Sequence, residues 1–481
     1  MTFTTLTFAL FLTLVFALYW IVRHRRAQNL VLLAASYVFY MSWDYRFCLL
    51  LLASSLIDYG VGRGLAKFER RAVRRSLLGI SLGWNLGVLV FFKYSNFFLE
   101  NFLAITNAIG WRVNTPLLKI ILPVGVSFYT FKTLTYTIDV YRRQLKPTRS
   151  VIEYATYVAF FPQLLAGPID RAANLLPQFS AERRFSYPLA ADGCRQILWG
   201  FVKKVALADN LSPIVNHAYA TPATTPGPHL MLATICFAFQ IYCDFSAYTD
   251  IAIGTAKLLG FNSTRNFAYP YFSQSMAEFW RRWHISLTSW FRDYVYFSLA
   301  GVRGSVARRA VNVVITFLLS GLWHGASWNF LIWGGLNGVA VLPEMFRKRR
   351  KASPTDKLLP SPRVALRILT TFAITCLIWV FFRAERLSQA LTVYKRMLTD
   401  LINVRAYLHP GLILGYSPIG NIVFLFLFGF IVMEWIHRRH EHPLTLDNWP
   451  RWVRWTAYTG LLMIAFRYGL QATGQFVYFK F

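Results

Sequence analysis

The sequence predicts an all-α polytopic membrane protein with about 10–13 membrane helices, some of them short, tilted or re-entrant. Composition is the first reason. Hydrophobic residues make up 56% of the 481 residues and charged ones only 15%, where soluble domains carry about 25% charge. The second is a series of apolar segments, each near the roughly 20 residues that a spanning helix needs. The third is that several of these segments are broken by Pro, Gly or polar groups. Such breaks suit backbone buried in protein rather than facing lipid.

Taken in order, Phe3 to Val22 is an uncharged stretch of spanning length. It lacks a basic leading region and a small-residue cleavage site. Its positive charges follow it, at Arg23, His24, Arg25 and Arg26, so it reads as a retained helix and not a signal peptide. Further candidates lie near 30–43, 47–62, 76–92, 118–138, 151–168, 229–248, 310–343, 366–382, 416–433 and 453–470. Residues 1–117 form an N-terminal group of transmembrane helices, and 118–345 a core holding most of the unusual polar content. Residues 346–363 form a basic, Pro- and Ser-containing cytoplasmic loop, and 364–481 a C-terminal group of helices.

The net charge of +30 concentrates in short loops, at 23–26, 67–75, 142–149 and 347–351. That is the pattern of cytoplasmic loops under the positive-inside rule, and it argues against nucleic acid as a partner. Two spans separate the first two of these loops, so the two agree, and the N-terminus falls outside. The five cysteines (Cys48, Cys194, Cys236, Cys243 and Cys376) show neither metal nor redox spacing. His437, His440 and His442 sit in a basic stretch after an apolar helix and read as a solvated loop, so no metal centre is expected.

His324 is the most informative residue. It interrupts a run from Ala310 to Pro343 with no Asp, Glu, Lys or Arg, within SGLWHGASWNFLIWGGLNG. An ionisable ring in such surroundings is costly and marks function by default. Desolvation keeps imidazole neutral, which a general base acting on a hydroxyl requires. The glycines at 321, 325, 334, 335 and 338 allow close helix approach. Asn329, in the same segment, is either structural or part of the site.

His284 lies upstream in FWRRWHISLTSWFRDY, a segment too charged to span and too aromatic for an ordinary loop. Trp283 and its aromatic neighbours suit an interfacial or re-entrant helix. Arg281 and Arg282 suit lipid headgroups, and Arg281, Arg282 and Arg292 equally suit the phosphates of an anionic donor. In QIYCDFSAYTDIAIG, Asp244 and Asp250 face different ways on one helix, and arginines from 279–292 are the expected partners. A structural ion network and a direct role are equally open for them. LPVGVSFYTFKTLTYTIDVYRR and FFPQLLAGPIDR mix Pro and Gly into apolar sequence and read as broken helices, while Asp58 and Asp139 read as structural.

These segments together resemble the membrane-bound O-acyltransferases, in the bacterial branch that acetylates exported polysaccharides such as alginate. LPVGVSFYTF, TYTIDVYR, LLAGPIDR, DFSAYTDIAIG, FWRRWHISLTSWFRDYVYFSLAG and GLWHGASWNFLIWGGLNG stand in that family's order across roughly 118–340. Ser298 and Ala300 stand where the family usually has Pro and Gly, and Ala247 where Gly is common; both histidines are present.

The resemblance implies a ring of tilted helices around a thinned membrane core, with a funnel on each face. It implies that His324 is the catalytic histidine, taking the proton of an acceptor hydroxyl as its oxygen attacks a thioester. His284 then orients the donor or stabilises the oxyanion, and Arg281 and Arg282 hold donor phosphates. The implied reaction moves acetyl from a cytoplasmic thioester, acetyl-coenzyme A or an acyl carrier, to an exported polysaccharide, directly or through a periplasmic acetyltransferase. No cofactor is permanently bound, and the implied location is the bacterial inner membrane, among its lipids. The alternatives are D-alanyl or other acyl transfer to a cell-wall polymer, and, outside the enzymes, a polysaccharide-export transporter or scaffold.

Overall fold

A computed structural model describes residues 1–111, 116, 118, 120–299, 304–346, 359–407, 417–446, 449–469 and 476. Ala300 and most of the basic loop fall outside them. Among the described residues every regular element is helical, as an all-α polytopic membrane protein requires. Five helices are long and apolar enough to cross a membrane: Arg46–Lys67, Arg71–Ala108, Gly227–Leu258, Val306–His324 and Pro362–Arg383. Leu6–Ile21 and Ile422–Ile436 are shorter apolar helices.

The chain divides into two compact units, one made of Met1–Cys194 with Ile251–Thr264, the other of Arg195–Asp250 with Arg265–Phe481. The first contains Leu6–Ile21, Arg25–Met41, Arg46–Lys67, Arg71–Ala108, Val126–Tyr141, Val151–Ala159 and Ala172–Ser180. Its outward faces carry large apolar side chains, such as Leu6, Leu10 and Leu14 on the first helix and Phe98, Phe102 and Ile105 on the fourth. Rows of this size would be an aggregation hazard in water and are ordinary in lipid.

A set of polar residues in this unit is buried. Asp58 is fully buried and accepts hydrogen bonds from Ser81, from Asn85 Nδ2 at 2.7 Å and from Thr137 Oγ1 at 3.3 Å. The Pro- and Gly-containing segments do break their helices. The segment expected at 118–138 becomes helical only at Val126, after Gly125 adopts φ 79°. A side chain at Gly125 would also meet the Leu164 carbonyl oxygen at 2.6 Å. The segment expected at 151–168 is a nine-residue helix, Val151–Ala159, followed by turns.

In the second unit the long apolar run at 310–343 folds as a hairpin of two helices, Val306–His324 and Trp328–Phe346. Glycine makes the pairing close. A Cβ on Gly321 would collide with the Phe330 carbonyl, and one on Gly334 with the Phe317 carbonyl. Both obstacles are backbone atoms that cannot move aside. At Gly335 an added Cβ would lie 3.4 Å from Leu318 Cδ2, a contact that can be accommodated. Gly321→Ala is therefore expected to lower the yield of folded protein sharply while Gly335→Ala is nearly neutral, as read by fluorescence-detected size exclusion in detergent.

Candidate active site

The hairpin turn supplies one half of the site. His324 is the last residue of Val306–His324, and its side chain is buried. Its ring lies 4.9 Å from that of Trp323, 5.0 Å from Trp333 and 5.5 Å from Phe382, centroid to centroid. Trp333 stacks on Trp379 at 5.7 Å, so the returning helix and the helix Pro362–Arg383 both wall the imidazole.

The other half comes from the break between two short helices, Met276–Arg282 and Ile285–Trp290. At that break His284 adopts φ 43° and ψ 54°, the left-handed region that a side chain with a Cβ rarely enters. Neighbouring contacts must hold such a residue in place, and outliers of this kind gather at functional sites. The Asn266 backbone carbonyl accepts from the Ile285 N–H at 2.8 Å, and Thr288 N–H donates to the His284 carbonyl at 2.9 Å. The ring is fully buried, 4.7 Å from Phe245 and 6.0 Å from Trp323. Burial pushes its imidazole pKa well below the ordinary histidine value, so the ring is neutral near pH 7.

The two rings come together, their centroids 6.5 Å apart and their planes at 65°. This places two imidazoles in one buried, aromatic setting, where a neutral ring accepts or donates one proton according to its tautomer.

The remaining expected residues divide. Trp283 is buried and packs 5.1 Å from Trp379 and 5.0 Å from Phe267, as part of the aromatic wall. Arg282 pairs with Glu278 at 2.6 Å and Arg292 with Asp293 at 2.7 Å, while Arg281 is exposed. Asn329 donates to the Ala384 carbonyl at 2.7 Å, a link between helices.

The acidic pair Asp244 and Asp250 is held by lysines rather than by the arginines expected. Lys203 Nζ lies 2.6 Å from Asp250 and 2.7 Å from Ser246, and Lys204 Nζ lies 2.8 Å from both Asp244 and Asp209. Both lysines sit in a π-helical turn, Lys203–Ala208, where the wider winding aims them at one neighbouring helix. His442 also departs from expectation, since it is buried instead of solvated.

Asn266, Lys203, Lys204 and Glu434 were not picked out from sequence. Glu434 sits in the helix Ile422–Ile436 and accepts from the Tyr242 hydroxyl at 2.8 Å. As lone carboxyl in an apolar segment, it carried the same signal as His324.

The profile of the membrane-bound O-acyltransferase family matches residues 142–383, which contain both histidines. A "Probable alginate O-acetylase AlgI" of Azotobacter vinelandii is 41% identical over 81% of this chain and 76% of its own length. A "Peptidoglycan O-acetyltransferase" of Helicobacter pylori is 31% identical over 94% of this chain and 91% of its own. A "Teichoic acid D-alanyltransferase" of Bacillus subtilis is 29% identical over 54% and 69%. On a profile match that takes in the histidine pair, and on relatives alike over most of their length, the chain belongs to the membrane-bound O-acyltransferase family and is a multi-pass membrane O-acyltransferase.

Proposed function

We propose that this protein moves an acetyl group from a thioester donor on the cytoplasmic side of a bacterial inner membrane to hydroxyls of an exported, alginate-like polysaccharide. Delivery is direct or passes through a periplasmic acetyltransferase. The observation that carries the reading is the meeting of His324 and His284, buried and 6.5 Å apart in an aromatic setting. A hydroxyl oxygen attacks the thioester carbonyl, and the two rings between them accept its proton and stabilise the charge on the carbonyl oxygen. Water exclusion by Trp283, Trp333, Trp379 and Phe382 favours transfer to the hydroxyl over hydrolysis.

The likeness to alginate O-acetylases covers more of the chain, at higher identity, than that to D-alanyltransferases, and so favours acetyl as the cargo. Acetyl-coenzyme A is the proposed donor, with Arg281, Arg282 and Arg292 receiving its phosphates. The N-terminus lies on the periplasmic side.

The test is to give the detergent-solubilised protein radiolabelled acetyl-coenzyme A and de-O-acetylated alginate, with and without a periplasmic extract that supplies the relay partner. Alkali-labile label on the polymer is expected, and its absence with coenzyme A donors but appearance with a D-alanyl carrier would favour the cell-wall reading. Arg281→Ala is expected to raise KM for acetyl-coenzyme A several-fold with kcat nearly unchanged, because it removes binding common to ground and transition states.

A further inference from the structure

The hydrogen bonds around His284 determine which of its nitrogens bears hydrogen. Asn266 is fully buried, and its Oδ1 accepts from the Ser286 backbone N–H at 3.2 Å and from the Ser286 hydroxyl at 2.9 Å. A backbone N–H only donates, so the amide atom it faces is the oxygen and not the nitrogen. His284 Nδ1 lies 3.0 Å from that same oxygen. The Nδ1 atom therefore carries the hydrogen, and the neutral ring bears its lone pair on Nε2. An oxyanion needs an N–H in front of it, which Nε2 of this tautomer does not offer.

We infer that Asn266 is a positioning residue that fixes His284 as the proton acceptor of the acyl transfer. This rests on the acyl-transfer reading above and divides the labour of the pair. The hydroxyl oxygen forms its bond to the thioester carbonyl carbon while its proton passes to His284 Nε2. The C–S bond then breaks, the sulfur leaves with the bonding electrons, and the proton moves from Nε2 to sulfur. Ester and free thiol are the products, and the ring returns to its Nδ1–H tautomer. During the charged interval Asn266 Oδ1 faces the Nδ1–H of the imidazolium. Stabilising the carbonyl oxygen falls to His324.

The charges nearest in sequence and on neighbouring elements are engaged with one another: Asp244 with Lys204, Asp250 with Lys203, Arg282 with Glu278 and Arg292 with Asp293. Arg281 is exposed. His324 is a titratable ring in contact with His284.

The test compares Asn266→Asp and Asn266→Ala, solubilised with the full chain intact, using acetyl-coenzyme A and de-O-acetylated alginate. Aspartate keeps an oxygen acceptor for Nδ1–H and adds a negative charge beside the ring. The expected result is kcat within about tenfold of wild type, with the acidic limb of the kcat–pH profile moved up by about 1–3 units. Asn266→Ala is expected to lose about 100-fold or more in kcat at unchanged donor KM. Equal losses in both variants, or an Asn266→Asp profile that superimposes on wild type, would overturn the inference. So would a donor KM that rises while kcat is kept. If wild type itself transfers no acetyl even with a periplasmic extract added, the acyl-transfer reading fails first, and the assignment falls with it.

Discussion

His324→Ala is expected to reduce kcat for acetyl transfer by at least about 100-fold, the loss typical of a proton-transferring or charge-stabilising group. His324 stands where the helix Val306–His324 ends, among Trp323, Trp333 and Phe382, with His284 opposite. Alanine keeps the helix but leaves a void where the ring was, and no neighbouring side chain of that wall carries an equivalent titratable nitrogen. Binding of the donor depends on other groups, so its KM is expected to change little. Size-exclusion elution of the variant in detergent, matched to wild type, separates loss of chemistry from loss of fold. A variant that is folded yet keeps more than a tenth of wild-type kcat would remove His324 from the reaction.

Lys204→Met is expected to have the largest effect on stability. Lys204 Nζ sits 2.8 Å from both Asp209 and Asp244, and the lysine and Asp244 side chains are each 1% exposed. Removing the cation takes the ammonium from between the buried Asp244 carboxylate and the largely buried Asp209 carboxylate. Breaking a buried pair from one side costs about 3–5 kcal/mol, against a total stability of about 5–15 kcal/mol. The variant is expected to accumulate poorly and to melt well below wild type in a detergent thermal-shift assay. Replacing Asp209 as well, Lys204→Met with Asp209→Asn, removes one of the stranded charges and is expected to recover part of the loss. Wild-type melting of Lys204→Met would mean that this cluster does not bind its helices together.

The legible parts of this molecule were those where polarity breaks a local pattern. His324 stood out because the run from Ala310 to Pro343 has no other charge-bearing residue, and the glycines around it announced the close hairpin that Gly321 and Gly334 make. His284 was legible through its aromatic and cationic neighbours. Its left-handed backbone was not, because that conformation is imposed by contacts from Asn266.

Asn266 itself sits in FNSTRNFAYPYF, where nothing separates it from an ordinary loop asparagine. Its importance depends on a fold that brings it against a residue 18 positions away. Lys203 and Lys204 were hidden for a similar reason. A basic pair in a polytopic sequence reads as a loop charge, and only the π-helical winding turns both inward toward Asp250 and Asp244. The expectation that arginines would neutralise these acids failed because Arg282 and Arg292 find acidic partners close by in sequence, Glu278 and Asp293. Element type was legible almost throughout. Helix length was less so: Pro and Gly announced broken helices in these two segments, but not that one starts only at Val126 and the other stops at Ala159.

The most direct measurement is the ester content of the exported polysaccharide in a deletion strain complemented with wild type, His324→Ala or His284→Ala at matched membrane expression. The account predicts full ester with wild type and none above the deletion background with either variant, each variant remaining folded and inserted. Ester that persists at wild-type level in both variants would contradict acyl transfer on the histidine pair, and would move a transport or scaffold role ahead of it.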